Sequence, residues 1–219
     1  MTEDRDRASV EAARYWDAAA EGARFSHPLD ASSFTRHVPR GAAVLDLGCG
    51  YGRLTRTLVD LGYRRTIGLD PSQAMLERAR REQPDLELQL GDGLALPFAD
   101  GVFGAVVAMA VFTSVPESER QAALLDEIER VLAPRGVLLV SDLPLQDGER
   151  ERTRYAAAFE RGADHGVFEH ESGTRFRHHD EGWFEALERR FERLDGREVA
   201  VATMTGKGAR ARQVLLRRR

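Results

Sequence analysis

Residues Val44–Leu54, VLDLGCGYGRL, set three glycines at alternate positions, Gly48, Gly50 and Gly52, behind an apolar run that carries an acid, Asp46. A strand, a glycine-rich turn and a helix make a nucleotide-binding device. Glycine lets a ligand approach the backbone, and a helix start offers free N–H groups. The spacing here is one residue short of the dinucleotide fingerprint G-x-G-x-x-G, and no lysine follows as a phosphate loop requires. A phosphate ligand is therefore disfavoured. Two more acids close similar short segments, Asp70 in IGLD and Asp92 in LGD, and no basic residue lies within VLDLGCG, IGLD or LGD. At the carboxyl ends of adjacent strands these carboxylates would line one crevice. They suit a ligand that is cationic or rich in hydroxyl and amino donors. Cys49 has no obvious activating base beside it and reads as a small packing residue of the turn, not a nucleophile.

The elements that must hold these groups follow from the pattern along the chain. Residues 8–21 are polar and alanine-rich with Val10, Ala13, Tyr15, Trp16 and Ala20 interspersed, which predicts a helix with one apolar face. Asp30 is the expected N-cap of a short helix running to about Val38. AAVLDL then reads as a strand, GRLTRTLVDLG as a helix, RTIGLD as a strand, and PSQAMLERARRE as a helix begun by Pro71. LELQLGD and GVFGAVVAMAV follow as strands, then ESERQAALLDEIERVLA as a helix stopped by Pro134 and Gly136, then GVLLVSDL as the fifth strand. Such alternation predicts an α/β, doubly wound, mostly parallel sheet covered on both faces. Residues 145–180 hold four of the six histidines and show no clear period. EGWFEALERRF predicts a helix, and ERLDGREVAVAT and ARARQVLLRRR predict two antiparallel strands at the sheet edge, joined through Met204 to Gly208.

Composition narrows the function classes. The 219 residues suit one domain, and a net charge of -4 argues against a general nucleic-acid binder, which needs a basic surface. The single cysteine excludes an internal disulfide framework, and no apolar run has the length of a membrane span or the form of a signal peptide. The chain is read as cytoplasmic, a monomer or homodimer. His165 and His170 lack the cysteines or ordered acids that would complete a metal site, so no metal is expected.

VLDLGCGYGR, IGLDPS, GDGLALPF and EIERVLAPRGVLLVSD together resemble the class I S-adenosylmethionine-dependent methyltransferases of the small-molecule type. The resemblance spans about residues 42–142. It implies a Rossmann-like sheet of seven strands with an antiparallel C-terminal edge strand, and S-adenosyl-L-methionine as cofactor. It also implies that the turn of Gly48, Cys49, Gly50 and Gly52 wraps the methionine part, with Asp46 near its ammonium. Asp70, followed by Pro71, would take the ribose hydroxyls, and Asp92 with Gly93 the adenine amino group. Ala108 and Met109, ending the fourth strand, would line the cofactor. On this reading residues 1–219 form one domain: 1–40 a helical cover, 42–142 the cofactor-binding core, 145–180 a substrate-covering insertion, and 181–219 a C-terminal helix and strand pair.

Methyl transfer from a sulfonium is an in-line displacement in which the protein aligns the nucleophile and excludes water. The expected acceptor is a small organic molecule with an O-, N- or C-nucleophile. The two covers carry the candidate acceptor residues: Tyr15, Trp16 and His27 from the first, Phe112 beyond the fourth strand, and His170 and Phe176 from the second. His178 and His179 are the candidates for a general base or an orienting hydrogen bond. AMAVFTSVPES replaces the Asn-Pro-Pro-Tyr type motif of amino-methylating nucleic-acid enzymes, so base methylation loses support. The alternatives are a non-catalytic S-adenosylmethionine-binding protein and a nicotinamide-dependent oxidoreductase, the latter disfavoured by the glycine spacing.

Overall fold

The computed structural model describes residues 2–203 and 206–219. The chain begins with α1 (Thr2–Ala19) and α2 (Ala31–His37) and then alternates β1 (Ala43–Leu47), α3 (Arg53–Asp60), β2 (Arg65–Asp70), α4 (Gln73–Glu82) and β3 (Glu87–Leu90). Next come β4 (Phe103–Met109), α5 (Ser118–Val131), β5 (Leu132–Asp142) and α6 (Glu149–Glu160). The last part holds β6 (Val167–Glu169), β7 (Arg175–Arg177), α7 (Glu181–Arg190), β8 (Glu192–Ala202) and β9 (Gly208–Arg217).

Among the described residues the main sheet has seven strands in the order β3-β2-β1-β4-β5-β9-β8. The first five are parallel, and β9 runs antiparallel between β5 and β8, so the last two strands close one side of the sheet. Strand alternation divides the core. Leu45, Leu47, Val106, Ala108, Leu138 and Val140 face α5 and α7, where Ile128, Leu187 and Phe191 meet them. Val44, Ala105, Val107, Val137 and Leu139 face Leu58 of α3, Phe34 of α2 and Tyr63. Burial on both faces is what a parallel sheet requires, and each fully buried leucine or isoleucine contributes about 1.5–3 kcal/mol. The sequence order runs outward from β1 in both directions, so a crevice opens at the carboxyl ends of β1 and β4.

Several boundaries differ from the sequence expectation. The helix expected to reach Ala133 ends at Val131, and β5 starts at Leu132 and passes through Pro134. The residue before a proline favours extended backbone, and pairing with β4 shifts register between Phe103 and Ala105, an irregularity that accommodates proline at a strand start. Pro71 does not begin α4; Ser72 caps it, its side chain accepting from Met75 N. β4 ends at Met109, because Ala110 turns the chain with φ of 56° into a 3-10 turn at Phe112–Ser114. Residues 145–180, which show no clear period in the sequence, contain α6 and the antiparallel pair β6–β7. Met204, in the expected final turn, lies outside the described residues. Among the described residues no helix is long and apolar enough to cross a membrane.

Candidate functional site

The glycine turn sits at the crevice between β1 and β4. Gly48 and Gly50 have φ of 69° and 54°, in the left-handed region that favours glycine. A Cβ on Gly48 would lie 2.8 Å from Val111 Cγ2, and one on Gly50 would run into the Phe25 ring. The turn is tied to the end of β2: Gly48 N and Cys49 N donate to Leu69 O at 2.8 and 3.1 Å, and Gly50 N donates to Asp70 Oδ2 at 2.7 Å. Asp70 Oδ1 accepts from Ser72 N at 2.9 Å, and burial pushes its carboxyl up to about 6. Each oxygen of an ionised carboxylate has capacity for a second hydrogen bond, so Asp70 can still receive two donors. Asp46 is buried on β1 with Thr55 Oγ1 donating to it at 2.6 Å; burial pushes it up to about 7, against that hydrogen bond and the charge of Arg53. Asp92 is exposed beyond β3, where its Oδ1 accepts from Leu94 N at 3.0 Å.

These three acids line one cavity of about 1010 Å³ together with Gly48, Cys49, Gly50, Pro71, Gly93 and Met109. Its other end is roofed by three separate elements. α1 brings Tyr15 and Trp16, edge to face at 5.0 Å, and β7 sets Phe176 against them at 5.2 and 6.4 Å. His170 approaches Tyr15 at 5.8 Å. Phe25 stacks on Tyr51 at 5.0 Å, and its backbone N donates to the Tyr51 hydroxyl at 3.1 Å. His27, buried below Phe25, has Nδ1 2.8 Å from Ser141 Oγ. From α6, Tyr155 Oη lies 2.6 Å from His178 Nδ1, and Arg154 covers the Phe168 ring at 4.1 Å. His27, His170, Phe176 and His178 all line the cavity with Tyr15 and Trp16.

Residues 45–140 match the family model described as a methyltransferase domain. Across this segment the chain is similar to methyltransferase domains. It is 36% identical over 102 residues to a demethylmenaquinone methyltransferase of Renibacterium salmoninarum, covering 47% of this chain and 41% of that protein. It is 30% identical over 123 residues to a tRNA (carboxymethyluridine(34)-5-O)-methyltransferase of Macaca fascicularis, covering 56% of this chain and 18% of that one. The chain thus spans less than half the length of either relative. The crystal structure of a SAM-dependent methyltransferase from Methanosarcina mazei shares the fold with a TM-score of 0.77 at 22% identity, covering 84% of this chain and 96% of that one.

The residues of this segment fit S-adenosylmethionine. Asp46 and Asp70 are buried carboxyls whose charged forms burial disfavours, with no salt bridge to either among the described residues, so a cationic ligand would supply the counter-charge that the protein does not. Cys49 behaves as packing: its Sγ would lie 2.8 Å from a Cβ on Gly68, and burial with the charges of Asp70 and Asp46 pushes its thiol up.

Four expected site residues are not brought to the cavity. Gly52, with φ of 78°, is the N-cap of α3, where a Cβ would meet Leu86 at 2.8 Å, so its work is turn geometry and helix packing. Ala108 falls on the α5 face of β4 and is fully buried in the core; strand alternation sends Met109 to the cavity instead. Phe112 is buried against Trp183 at 5.2 Å. His179 lies behind the wall, stacked on Trp183 at 3.9 Å with Nε2 3.5 Å from Asp142 Oδ1, and its backbone N donates to Leu143 O at 2.9 Å. In exchange the structure adds Arg53, which lines the cavity and donates from Nη2 to His27 O at 2.6 Å. Its position directly after the glycine turn was the available signal. Tyr155, the hydrogen-bond partner of His178, gave no signal, because α6 shows no periodic apolar face.

Proposed function

We propose that this chain transfers a methyl group from S-adenosylmethionine to a small organic acceptor within the roofed cavity. The observation that carries this reading is the division of one space, with carboxylates and glycine backbone at one end and aromatic rings and imidazoles under α1, α6 and the β6–β7 pair at the other. Its volume of about 1010 Å³ is at the top of the range of about 300–1,000 Å³ for small-molecule sites, room for two ligands side by side. When bound, S-adenosylmethionine supplies an electrophilic methyl group on sulfur.

Asp70 takes the ribose hydroxyls, Asp92 with the Gly93 backbone takes the adenine amino group, and Asp46 with the Gly48–Gly50 turn receives the methionine ammonium. Pro71 and Met109 close the sides of that half. Tyr15, Trp16, His27, His170, Phe176 and His178 shape the acceptor half and keep water out. Alignment of this kind can supply about 7–11 kcal/mol of the barrier, so no covalent enzyme intermediate is needed.

The test is production of S-adenosylhomocysteine, read by chromatography, from S-adenosylmethionine and a panel of small phenols, carboxylic acids, enolisable carbonyls and amines, with bulk tRNA as a separate arm. Turnover with a small acceptor and none with tRNA is the expected result. Turnover confined to the tRNA arm would overturn the reading.

A further inference from the structure

We infer that the acceptor presents oxygen lone pairs, as a carboxylate, enolate or phenolate, to two imidazole N–H donors, Nε2 of His27 and Nε2 of His178. This rests on the small-acceptor reading of the cavity. Both rings line that cavity, and in both the other nitrogen, Nδ1, is held by a hydroxyl. Ser141 is fully buried, and among the described residues its hydroxyl has His27 Nδ1, at 2.8 Å, as its hydrogen-bond partner. A buried hydroxyl hydrogen needs an acceptor, so Ser141 donates and Nδ1 accepts. Tyr155 Oη accepts from Gln146 N at 3.2 Å, and His178 Nδ1, at 2.6 Å, is the acceptor that the described residues offer its own hydrogen, so Tyr155 donates there. A neutral imidazole that accepts at Nδ1 carries its proton on Nε2.

The charge states agree with this count. Burial holds the His27 ring below its ordinary value, against the charge of Asp142 and with that of Arg53. Burial takes His178 down to about 4, against Asp142 and with His179 and Arg154. Tyr155 is pushed up to about 12 by burial, so its hydroxyl keeps the proton it donates. Each Nε2 has no hydrogen-bond partner among the described residues and is not a buried orphan. Two donors without acceptors select for oxygen lone pairs, most strongly when the oxygen is charged. His178 is therefore a positioning donor, and a ring that already carries a proton on Nε2 does not take one from the acceptor there.

The test uses the full chain labelled with ¹⁵N-histidine and saturated with S-adenosylhomocysteine, with His27→Gln and His178→Gln assigning the signals. Two-bond ¹H–¹⁵N spectra at pH 7.5 should show a protonated Nε2 and an unprotonated Nδ1 on both rings. Titration with salicylate should move both Nε2 signals, and titration with benzylamine should move neither. His178→Ala should weaken salicylate by about tenfold or more, the effect of losing a hydrogen bond to a charged oxygen, and His178→Gln, which keeps an N–H near Nε2, should restore most of it. An unprotonated Nε2 on either ring, signals that respond to benzylamine, or signals that fail to respond to salicylate would overturn the inference. If calorimetry shows no binding of S-adenosylhomocysteine, the methyl-transfer reading itself falls and the acceptor assignment falls with it.

Discussion

Asp70→Asn is expected to weaken S-adenosylmethionine binding by about 1.5–3 kcal/mol, roughly 10- to 150-fold, the range for hydrogen bonds to a charged group. The carboxylate already accepts from Gly50 N and Ser72 N, so the amide also sets a donor against one of those N–H groups. Calorimetry on the folded variant reads the effect, and unchanged affinity would remove Asp70 from the cofactor site. The ordinary value for an aspartate is about 3.9, and burial lifts Asp70 to about 6 and Asp46 to about 7. The fold therefore favours the protonated forms. Their contribution to stability is complete below about pH 4 and is lost as pH rises through 6 and 7. Cofactor binding has the opposite requirement, because the ligand needs both carboxylates ionised. The increase in melting temperature on adding S-adenosylmethionine should accordingly grow between pH 5.5 and pH 8, and a shift that shrinks over that interval would contradict the assignment.

Asp142→Ala should cost about 3–5 kcal/mol of stability. The fully buried carboxylate at the end of β5 accepts from Phe112 N at 2.9 Å, Thr113 N at 3.1 Å, the Thr113 hydroxyl and Leu143 N at 2.9 Å. Burial raises its pKa, but contact with His179 and the bonds from Thr113 and Leu143 outweigh that, and the net shift is downward. Removing it leaves several buried N–H groups without an acceptor, each worth about 1–3 kcal/mol. Those groups hold the loop after β4, where Thr113, Ser114 and Val115 line the cavity, so the loss should reach the site as well. Urea unfolding measures the stability change; a loss under 1 kcal/mol would show that water or a shifted loop replaces the carboxylate.

The carboxylate and glycine end of the cavity was legible because its pattern is local. RTIGLD reads as a strand and is one, Arg65–Asp70, and Asp30 caps α2 as its type and place predict. Asp46 and Asp70 each follow a short apolar run, so their position along the sequence translates into position in the sheet. The aromatic and imidazole end is not local. α6 reads ERERTRYAAAFE and buries only Tyr155 and Ala158, too few residues for a periodic signal, and β6 and β7 have three residues each. Adjacent residues also part company there: His178 faces the cavity and His179 stacks behind it on Trp183, a separation set by the pairing of Pro144 with His179. Phe112 looked like a pocket aromatic because nothing in the sequence shows that Ala110 turns the chain before it.

Hydrogen exchange with and without S-adenosylhomocysteine is the measurement that tests the central claim most directly, because it locates the ligand and the cover at once. Loops and covering elements with few core contacts open at low free-energy cost and slow when a ligand ties them down. The ligand should slow exchange at the turn 47–54, at residues 69–73 and 91–94, and also across α1, α6 and the β6–β7 pair, while β4 is protected in both states. Protection by the ligand at none of the turn, Asp70 or Asp92 segments would contradict the site. Protection there with α1 and residues 145–180 unchanged would contradict the roofed acceptor cavity.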